Sequence, residues 1–122
     1  MRATFAAFDR GELEAILEYV DPEVVVHDPA RTGATFTGHD ELLRFWREWL
    51  ESWEGYRVEP YEVIEVGERV FIAAEQHARG KTTRVEVGQD LYIVLAIPDD
   101  LITEYRIFAD RGDAMAAAGL GG

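Results

Sequence analysis

The spacing of apolar residues changes once along the chain, and this change constrains the possible folds strongly. Up to about Gly55, apart from a valine run and a loop between the helical stretches, the apolar side chains recur every three or four residues, which is the period of an amphipathic helix. From Tyr56 onward Val, Ile, Phe and Tyr alternate with polar residues, which is the period of a half-buried strand. Helices followed by a run of strands predict an α+β domain in which the helices pack against one face of a sheet.

Turn-forming residues divide the two halves into elements. The first half predicts two short helices joined at Gly11, a valine-rich strand over 23–27, a loop over 29–38 and an aromatic helix that ends at Gly55. The second half predicts antiparallel strands near 57–66, 69–79, 84–97 and 101–109, then a short helix over 113–118 that Gly119 ends. No linker or repeat interrupts this pattern, so we expect a single domain over residues 1–122.

Charge and composition exclude several classes of function. Twelve Lys and Arg against 24 Asp and Glu give a net charge of −12, and a field of this sign repels nucleic acids and anionic lipids. The chain has no cysteine, which excludes disulfides, thiolate catalysis and sulfur-ligated metals. The first residues lack the continuous apolar stretch of a signal peptide or membrane anchor. We therefore expect a cytoplasmic protein with no nucleic acid and no membrane as partner.

Several short motifs lie at the boundaries of these elements. The valine-rich strand ends in His27-Asp28-Pro29, Gly38-His39 precedes the aromatic helix, and the last strand leads into Asp110-Arg111-Gly112-Asp113. With the order of elements, these motifs resemble the SnoaL-like branch of the nuclear transport factor two-like superfamily over nearly the whole chain. The resemblance implies a cone-shaped fold, in which a curved antiparallel sheet and the N-terminal helices enclose a pocket. The superfamily hosts isomerases, cyclases, hydrolases, dehydratases and noncatalytic proteins, so function has to be inferred from the site.

Two carboxylates match the catalytic acids of ketosteroid isomerase, a member of this superfamily. There an Asp-Pro after the first strand supplies the base that moves a proton alpha to a carbonyl, and Asp28-Pro29 is similar to that step. A second carboxylic acid, on a later strand, donates a hydrogen bond to the oxyanion, and Asp90 matches its position. The resemblance thus implies a catalytic pair in which Asp28 is ionised and Asp90 is neutral inside one dry cavity.

The resemblance also implies a tyrosine donor on the first helix. Thr4 stands at that position in this sequence and cannot reach as far. Loss of one oxyanion donor typically costs on the order of a hundredfold to a thousandfold in rate. Tyr92 and Tyr105 are the candidates to replace it.

Strand alternation predicts the other walls of the pocket. We expect the ligand-binding side chains at inward-facing strand positions and on the aromatic helix: Trp46, Ile72, Ala74, Gln76, Tyr92, Tyr105 and Ile107. Their neighbours His77 and Arg106 are expected to point away. This chiefly apolar lining predicts a small apolar molecule as the ligand.

The strand around Asp90 is equivocal, because its more apolar face excludes Asp90. Its odd-numbered face carries Val85, Val87, Leu91, Ile93 and Leu95, and its even-numbered face carries Glu86, Gly88, Asp90, Tyr92 and Val94. Asp90 looks into the pocket if the more apolar odd-numbered face is buried between two subunits, which predicts a homodimer through the outer face of the sheet. In the alternative, Asp90 is an exposed strand residue.

Structural roles remain open for several of these residues. Asp28 also suits a turn at the start of the following loop, and the stripe of Trp46, Trp49 and Trp53 also suits the core. His27 cannot act together with Asp28, because neighbours in a strand face opposite sides.

The remaining polar motifs indicate no bound cofactor. His39 is expected to be solvated. The three histidines, His27, His39 and His77, lack metal-ligand spacing, and no phosphate loop or dinucleotide motif is present. We therefore expect neither a metal nor a cofactor.

Two classes of function are compatible with these features. One is a cofactor-independent isomerase or cyclase of a small apolar carbonyl compound, with Asp28 as general base and Asp90 as acid or oxyanion partner. The other is a noncatalytic protein that binds a small ligand or forms a dimeric interaction module.

Overall fold

In the computed structural model, which describes residues 12–28 and 34–120, helices and strands follow the order expected for an α+β domain. The helices are α1 (Leu13–Ile16), α2 (His39–Glu51) and α3 (Arg111–Ala118), and a 3₁₀ turn over Leu17–Tyr19 follows α1. The strands are β1 (Val20–Asp28), β2 (Ala34–Thr37), β3 (Trp53–Val66), β4 (Arg69–Gly80), β5 (Glu86–Ala96) and β6 (Ile102–Phe108). The α+β class is confirmed, and the predicted helix joint at Gly11 lies outside the described residues.

One mixed sheet joins the strands in the order β2-β1-β6-β5-β4-β3. The pairs from β3 to β6 are antiparallel, as their alternation predicts. However, β1 runs parallel to β6, with Val26 opposite Tyr105 and His27 opposite Arg106, so the sheet is mixed and not antiparallel at this one pair. Alternation reports how a strand is buried and carries no information on the direction of a neighbour from the other end of the chain.

Two boundaries near β1 differ from prediction because of strand pairing. The segment expected to be a loop contains β2, which pairs antiparallel with β1 and places Ala34 opposite Asp28. Val20, expected on the first helix, begins β1 opposite Ile102, and the register shifts before Val25. In both cases hydrogen bonds to a distant strand override the local pattern.

The aromatic helix is shorter than its periodicity predicts. It ends at Glu51, and Trp53 already pairs with Gly80 in β3. Gly55 lies within β3 at a φ of +62°, beside a shift in the β3–β4 register. Glycine adopts this left-handed backbone without the steric cost that a side chain brings, so Gly55 marks a bulge in the strand and not the end of the helix.

Apolar side chains form one cluster on each face of the sheet. The inner cluster, which the sheet forms with α1 and α2, includes Val24, Val26, Leu42, Ile72, Ile93 and Ile107. The outer cluster, which the opposite face of the sheet forms with α3, includes Phe71, Ala73, Tyr92, Val94, Ala114 and Ala118. Residues 70–74 and 91–95 are each at most 9% exposed, so the middle of β4 and β5 is buried on both sides.

Candidate functional site

Asp28, the last residue of β1, is buried on the inner face. Val24 and Val26, which share its side of the strand, belong to the inner cluster, and the Asp28 side chain is 0% exposed. His27 lies opposite Arg106 in the parallel register, which brings Ile107 beside Asp28. Burying a carboxyl costs free energy unless it is paired or hydrogen-bonded, so a wholly buried Asp28 is unusual in this interior. It is therefore the first candidate for a functional side chain.

Aromatic side chains form a wall of the interior near β1 and β6. Trp46 on α2 is buried, and its ring packs edge-on against Tyr105 with 6.5 Å between ring centroids. Tyr105 lies opposite Val26 on one side and Leu95 on the other. Trp46, Tyr105 and Ile107 therefore lie on the inner face as expected, and their contact with a ligand stays a prediction.

The expected β4 residues also lie on the inner face. Ile72, Ala74 and Gln76 stand opposite Ile93, Leu91 and Gln89 of β5, and Ile72 and Ile93 both belong to the inner cluster. Gln76 is only 7% exposed, and its Oε1 accepts a hydrogen bond from Tyr56 Oη at 2.7 Å. A polar group thus interrupts the apolar inner wall far along β4.

Sequence reasoning missed an aromatic recess at this polar group. A cavity of about 40 Å³ is lined by Trp49, Trp53, Tyr56, Gln76, Ala78 and Gln89. The Trp49 ring lies 5.4 Å from that of Trp53 and 6.0 Å from that of Tyr56, measured between centroids. No local pattern indicated the recess, because the pairing of Gln76 with Gln89, which puts both side chains on one face, is visible only in the β4–β5 register.

The prediction that Asp90 converges with Asp28 in one cavity is wrong. Asp90 is exposed and pairs with Glu75 on the outer face. Desolvation raises the pKa of Tyr61, and the negative charge of Asp90 raises this pKa further. Tyr92, expected in the pocket wall, belongs to the outer cluster beneath α3. Helix α3 covers the outer face of the sheet, so the even-numbered side chains Tyr92 and Val94 are buried there. Leu91 therefore lies on the inner face and Asp90 on the outer face.

This orientation also removes the stated basis for the predicted homodimer. That prediction required the odd-numbered face of β5 to lie outward, between two subunits. Leu91, Ile93 and Leu95 instead pack in the inner cluster of the same chain.

Two histidines lie on the outer face, as alternation predicts. His27 Nδ1 is 3.1 Å from Thr35 Oγ1, on the opposite side of β1 from Asp28. His77 Nε2 is 2.6 Å from Glu75 Oε1. Neither imidazole therefore reaches the Asp28 side of the sheet.

His39 was expected to be solvated, and this expectation is wrong. The residue is half-buried, and its Nε2 donates to the backbone carbonyl of Val20 at 2.8 Å. The bond joins the start of α2 to the start of β1. His39 thus has a structural role that its position in a loop-like sequence did not indicate.

A metal site requires several ligating side chains in one place, and a membrane span requires a long apolar helix. Among residues 12–28 and 34–120, no three His, Asp or Glu side chains are grouped to hold a metal ion. Over the same ranges, no helix combines the length and the apolar character needed to cross a bilayer. Thr4 lies outside the described residues.

Comparisons with solved structures find the same architecture in proteins of low identity. One is a protein of ketosteroid isomerase-like fold from Catenulispora acidiphila, in complex with trimethylamine: 20% identity, 98% of this chain and 91% of that chain covered, TM-score 0.81. Another is a candidate polyketide cyclase from Sinorhizobium meliloti: 25% identity, 85% and 88% covered, TM-score 0.72. A third is SalBIII, an epoxide hydrolase/cyclase-like enzyme of pyran ring formation in salinomycin: 18% identity, 92% and 88% covered, TM-score 0.76.

Sequence comparison assigns the family. None of the curated proteins matches the chain. A family model described as a SnoaL-like domain matches residues 1–105, which is most of the sequence and includes the strand that carries Asp28. The nuclear transport factor two-like fold of further similar solved structures agrees with this match. The chain belongs to the SnoaL-like domain family.

Proposed function

We propose that this chain is a cofactor-independent isomerase or cyclase of a small, apolar carbonyl compound, with Asp28 as general base. The observation that carries the proposal is the complete burial of the Asp28 carboxyl at the end of β1, on the inner face that also holds Ile107 and the Trp46–Tyr105 pair. Membership of the SnoaL-like family and likeness to a candidate polyketide cyclase support it.

The chemistry begins with proton transfer to Asp28. The carboxylate takes a proton from the carbon alpha to the substrate carbonyl, and the C–H electron pair moves into an enolate whose negative charge lies on oxygen. Return of the proton to another carbon completes an isomerisation. Attack of the enolate carbon on a second carbonyl of the same molecule forms a ring and an alkoxide, and return of the proton from Asp28 to the alkoxide oxygen completes a cyclisation.

Tyr105 is the proposed donor to the enolate oxygen. Of the two tyrosines named as candidates, Tyr92 lies on the outer face, whereas Tyr105 lies on the inner face of β6 two residues before Ile107. A phenol hydroxyl donates a hydrogen bond without itself being charged, which suits a site that excludes water.

Deuterium exchange tests the proposal without knowledge of the product. In D₂O, wild-type protein is incubated with 3-keto steroids and with polyketide-like diketones, and incorporation alpha to the carbonyl is followed by NMR. Asp28→Asn should lower the exchange rate by roughly 10²–10⁴-fold, the usual contribution of a general base. Tyr105→Phe should lower it less. Equal rates for wild type and Asp28→Asn, with both variants folded by circular dichroism, contradict the proposal.

A noncatalytic ligand-binding protein is the alternative. It requires only the apolar inner cluster and the aromatic recess, and it gives no exchange above buffer with any ketone. In that case Asp28→Asn leaves ligand affinity unchanged, since the carboxyl serves only the structure at the end of β1.

A further inference from the structure

The recess between α2 and strands β3 to β5 has a hydrogen-bonding geometry of its own. Tyr56 Oη donates to Gln76 Oε1 at 2.7 Å, so the amide oxygen is occupied and the amide orientation is set. Within residues 12–28 and 34–120 the Gln76 amide nitrogen, which carries two donors, has no acceptor. The Gln76 side chain as a whole is more than nine-tenths buried, but its amide nitrogen is not among the buried atoms that lack a partner, so solvent or a ligand can reach this donor group.

A second donor without an acceptor lies in the same wall. The indole nitrogen of Trp53 is buried, and among the described residues nothing accepts a hydrogen bond from it. Buried donors in native proteins nearly always have a partner, and a donor that lacks one is expected to receive it from water or a ligand. Two donors in one small recess indicate a ligand group that accepts hydrogen bonds.

The lining of the recess also limits the charge and shape of that group. It consists of Trp49, Trp53, Tyr56, Gln76, Ala78 and Gln89, none of which is ionised at pH 7. The net charge of −12 disfavours an anion, so a neutral carbonyl oxygen fits better than a carboxylate or phosphate. The rings of Trp49 and Trp53 offer flat faces to a planar ligand. A volume of about 40 Å³ accepts only about three water-sized groups, which is one edge of a molecule.

The recess lies well away from Asp28. The β1–β6 register, continued by one residue beyond its last pair, puts Asp28 in a row across the sheet with Ile107, Ile93 and Ile72. Gln76 is four residues beyond Ile72 along β4, or about 13 Å at roughly 3.3 Å per residue. A ligand that reaches both positions is therefore extended, and the recess holds the end remote from the reacting carbon.

We propose that Tyr56 and Gln76 form a subsite that binds the neutral carbonyl oxygen of a planar, aromatic or fused-ring ketone. Tyr56 holds the amide, the Gln76 amide group donates to the carbonyl, and Trp53 supplies a further donor. The inference deepens the proposed function, on which it rests for the entry of a ketone into the interior. The subsite would set which ketone binds, whereas Asp28 would act on it.

The experiment compares 1-tetralone with tetralin, which has nearly the same shape without the carbonyl. Titrations followed by NMR of ¹⁵N-labelled protein should show about five- to tenfold tighter binding of the ketone, the usual net effect of one hydrogen bond. Gln76→Leu should reduce the ratio of affinities to about one and leave tetralin affinity unchanged. Tyr56→Phe should reduce the ratio partly. Glu75→Gln, on the outer face of the same strand, is the matched control and should keep the wild-type ratio.

A second measurement keeps the test decisive if Gln76→Leu does not fold. In wild type, tetralone should shift the side-chain amide signals of Gln76 and the indole signal of Trp53, assigned with Trp53→Phe, and tetralin should not. The subsite proposal is overturned if wild type binds the two compounds with equal affinity. It is also overturned if tetralone and tetralin shift these signals equally.

Asp28→Asn separates this inference from the proposed function. It should lower deuterium exchange by roughly the same 10²–10⁴-fold and keep the wild-type ratio of tetralone to tetralin affinity. A ratio of one in a protein with Asp28-dependent exchange refutes the subsite alone. A carbonyl-dependent ratio in a protein without exchange supports the subsite and refutes the enzyme.

Discussion

Arg111, the first residue of α3, contacts Glu62 on β3 at 2.7 Å, and its guanidinium lies 5.2 Å from the centre of the Phe71 ring. The hydrogen bond from Arg111 lowers the pKa of the Glu62 carboxyl below its ordinary value of 4.5. Asp28, on the other face of the same sheet, is wholly buried. Position in the sheet thus decides whether a carboxylate anchors a helix at the surface or lies in the interior.

We expect Glu62→Gln to remove a pH-dependent part of the stability. Since the folded pKa of Glu62 is lowered, its contribution is present above the unfolded value of about 4.5 and is lost as pH falls through the folded value. Urea unfolding should therefore show a wild type that is more stable than Glu62→Gln at pH 7, and nearly equal to it at pH 3.

The control for this prediction is Glu65→Gln. Glu65 is an exposed carboxyl of the same strand, without an ion pair among the described residues. Its substitution should change stability little at either pH. A wild type that exceeds Glu62→Gln by the same amount at pH 7 and pH 3 contradicts the role given to the Arg111 pair.

The short helix α3 shows how caps and packing stabilise an element too short to be stable alone. At its start the Asp110 side chain accepts from the backbone N–H of Asp113 at 2.9 Å. At its end Gly119 adopts a left-handed φ of +84°, and Leu120 N–H donates to the Met115 carbonyl at 2.8 Å. Ala114 and Ala118 are buried against the outer face, so α3 closes the second core.

Gly119→Ala should destabilise the protein by about 1 kcal/mol. The cost arises from the left-handed backbone, which disfavours a residue with a Cβ atom. Steric conflict contributes little, because an added Cβ would meet only Val66 Cγ1 at 4.0 Å. Thermal and urea unfolding measure the loss, and Gly119→Asn, which tolerates this backbone better, should lose less. An Ala variant as stable as wild type would mean that α3 does not depend on this cap.

The protein has a net charge of −12, and it is built on a single sheet with an apolar cluster on each face. Many carboxylates on the surface of one small body repel one another, and this repulsion opposes the compact state. Salt shortens the range of the repulsion from about 30 Å at 0.01 M to about 10 Å at 0.1 M.

We therefore expect the melting temperature to rise with salt. Between 10 and 300 mM NaCl the gain should be roughly 1 kcal/mol, or about 4 °C for a domain of this size. The triple variant Glu68→Gln/Asp99→Asn/Asp100→Asn, which neutralises three exposed carboxylates, should respond less. A melting temperature that falls with salt would show that surface ion pairs outweigh the repulsion.

Local pattern was enough to predict most of the elements. The period of two over β3 to β6, with turns at Gly67-Glu68 and Pro98 to Asp100, predicted the antiparallel strands. Gly119 predicted the end of α3. These features depend on backbone preferences and on neighbours close in sequence, which the residues themselves specify.

The orientation of β5 and the pairing of β1 were decided only by the tertiary structure. Helices cover both faces of the sheet, so Leu91, Tyr92, Ile93 and Val94 are all buried and alternation cannot tell inside from outside. Asp90 was therefore assigned to the wrong face. In the same way β1 pairs with β6, almost eighty residues later, and such a contact leaves no local pattern. Residue type and spacing specified the elements and placed Asp28 at the end of a strand. Packing of distant segments determined which side chains share its interior.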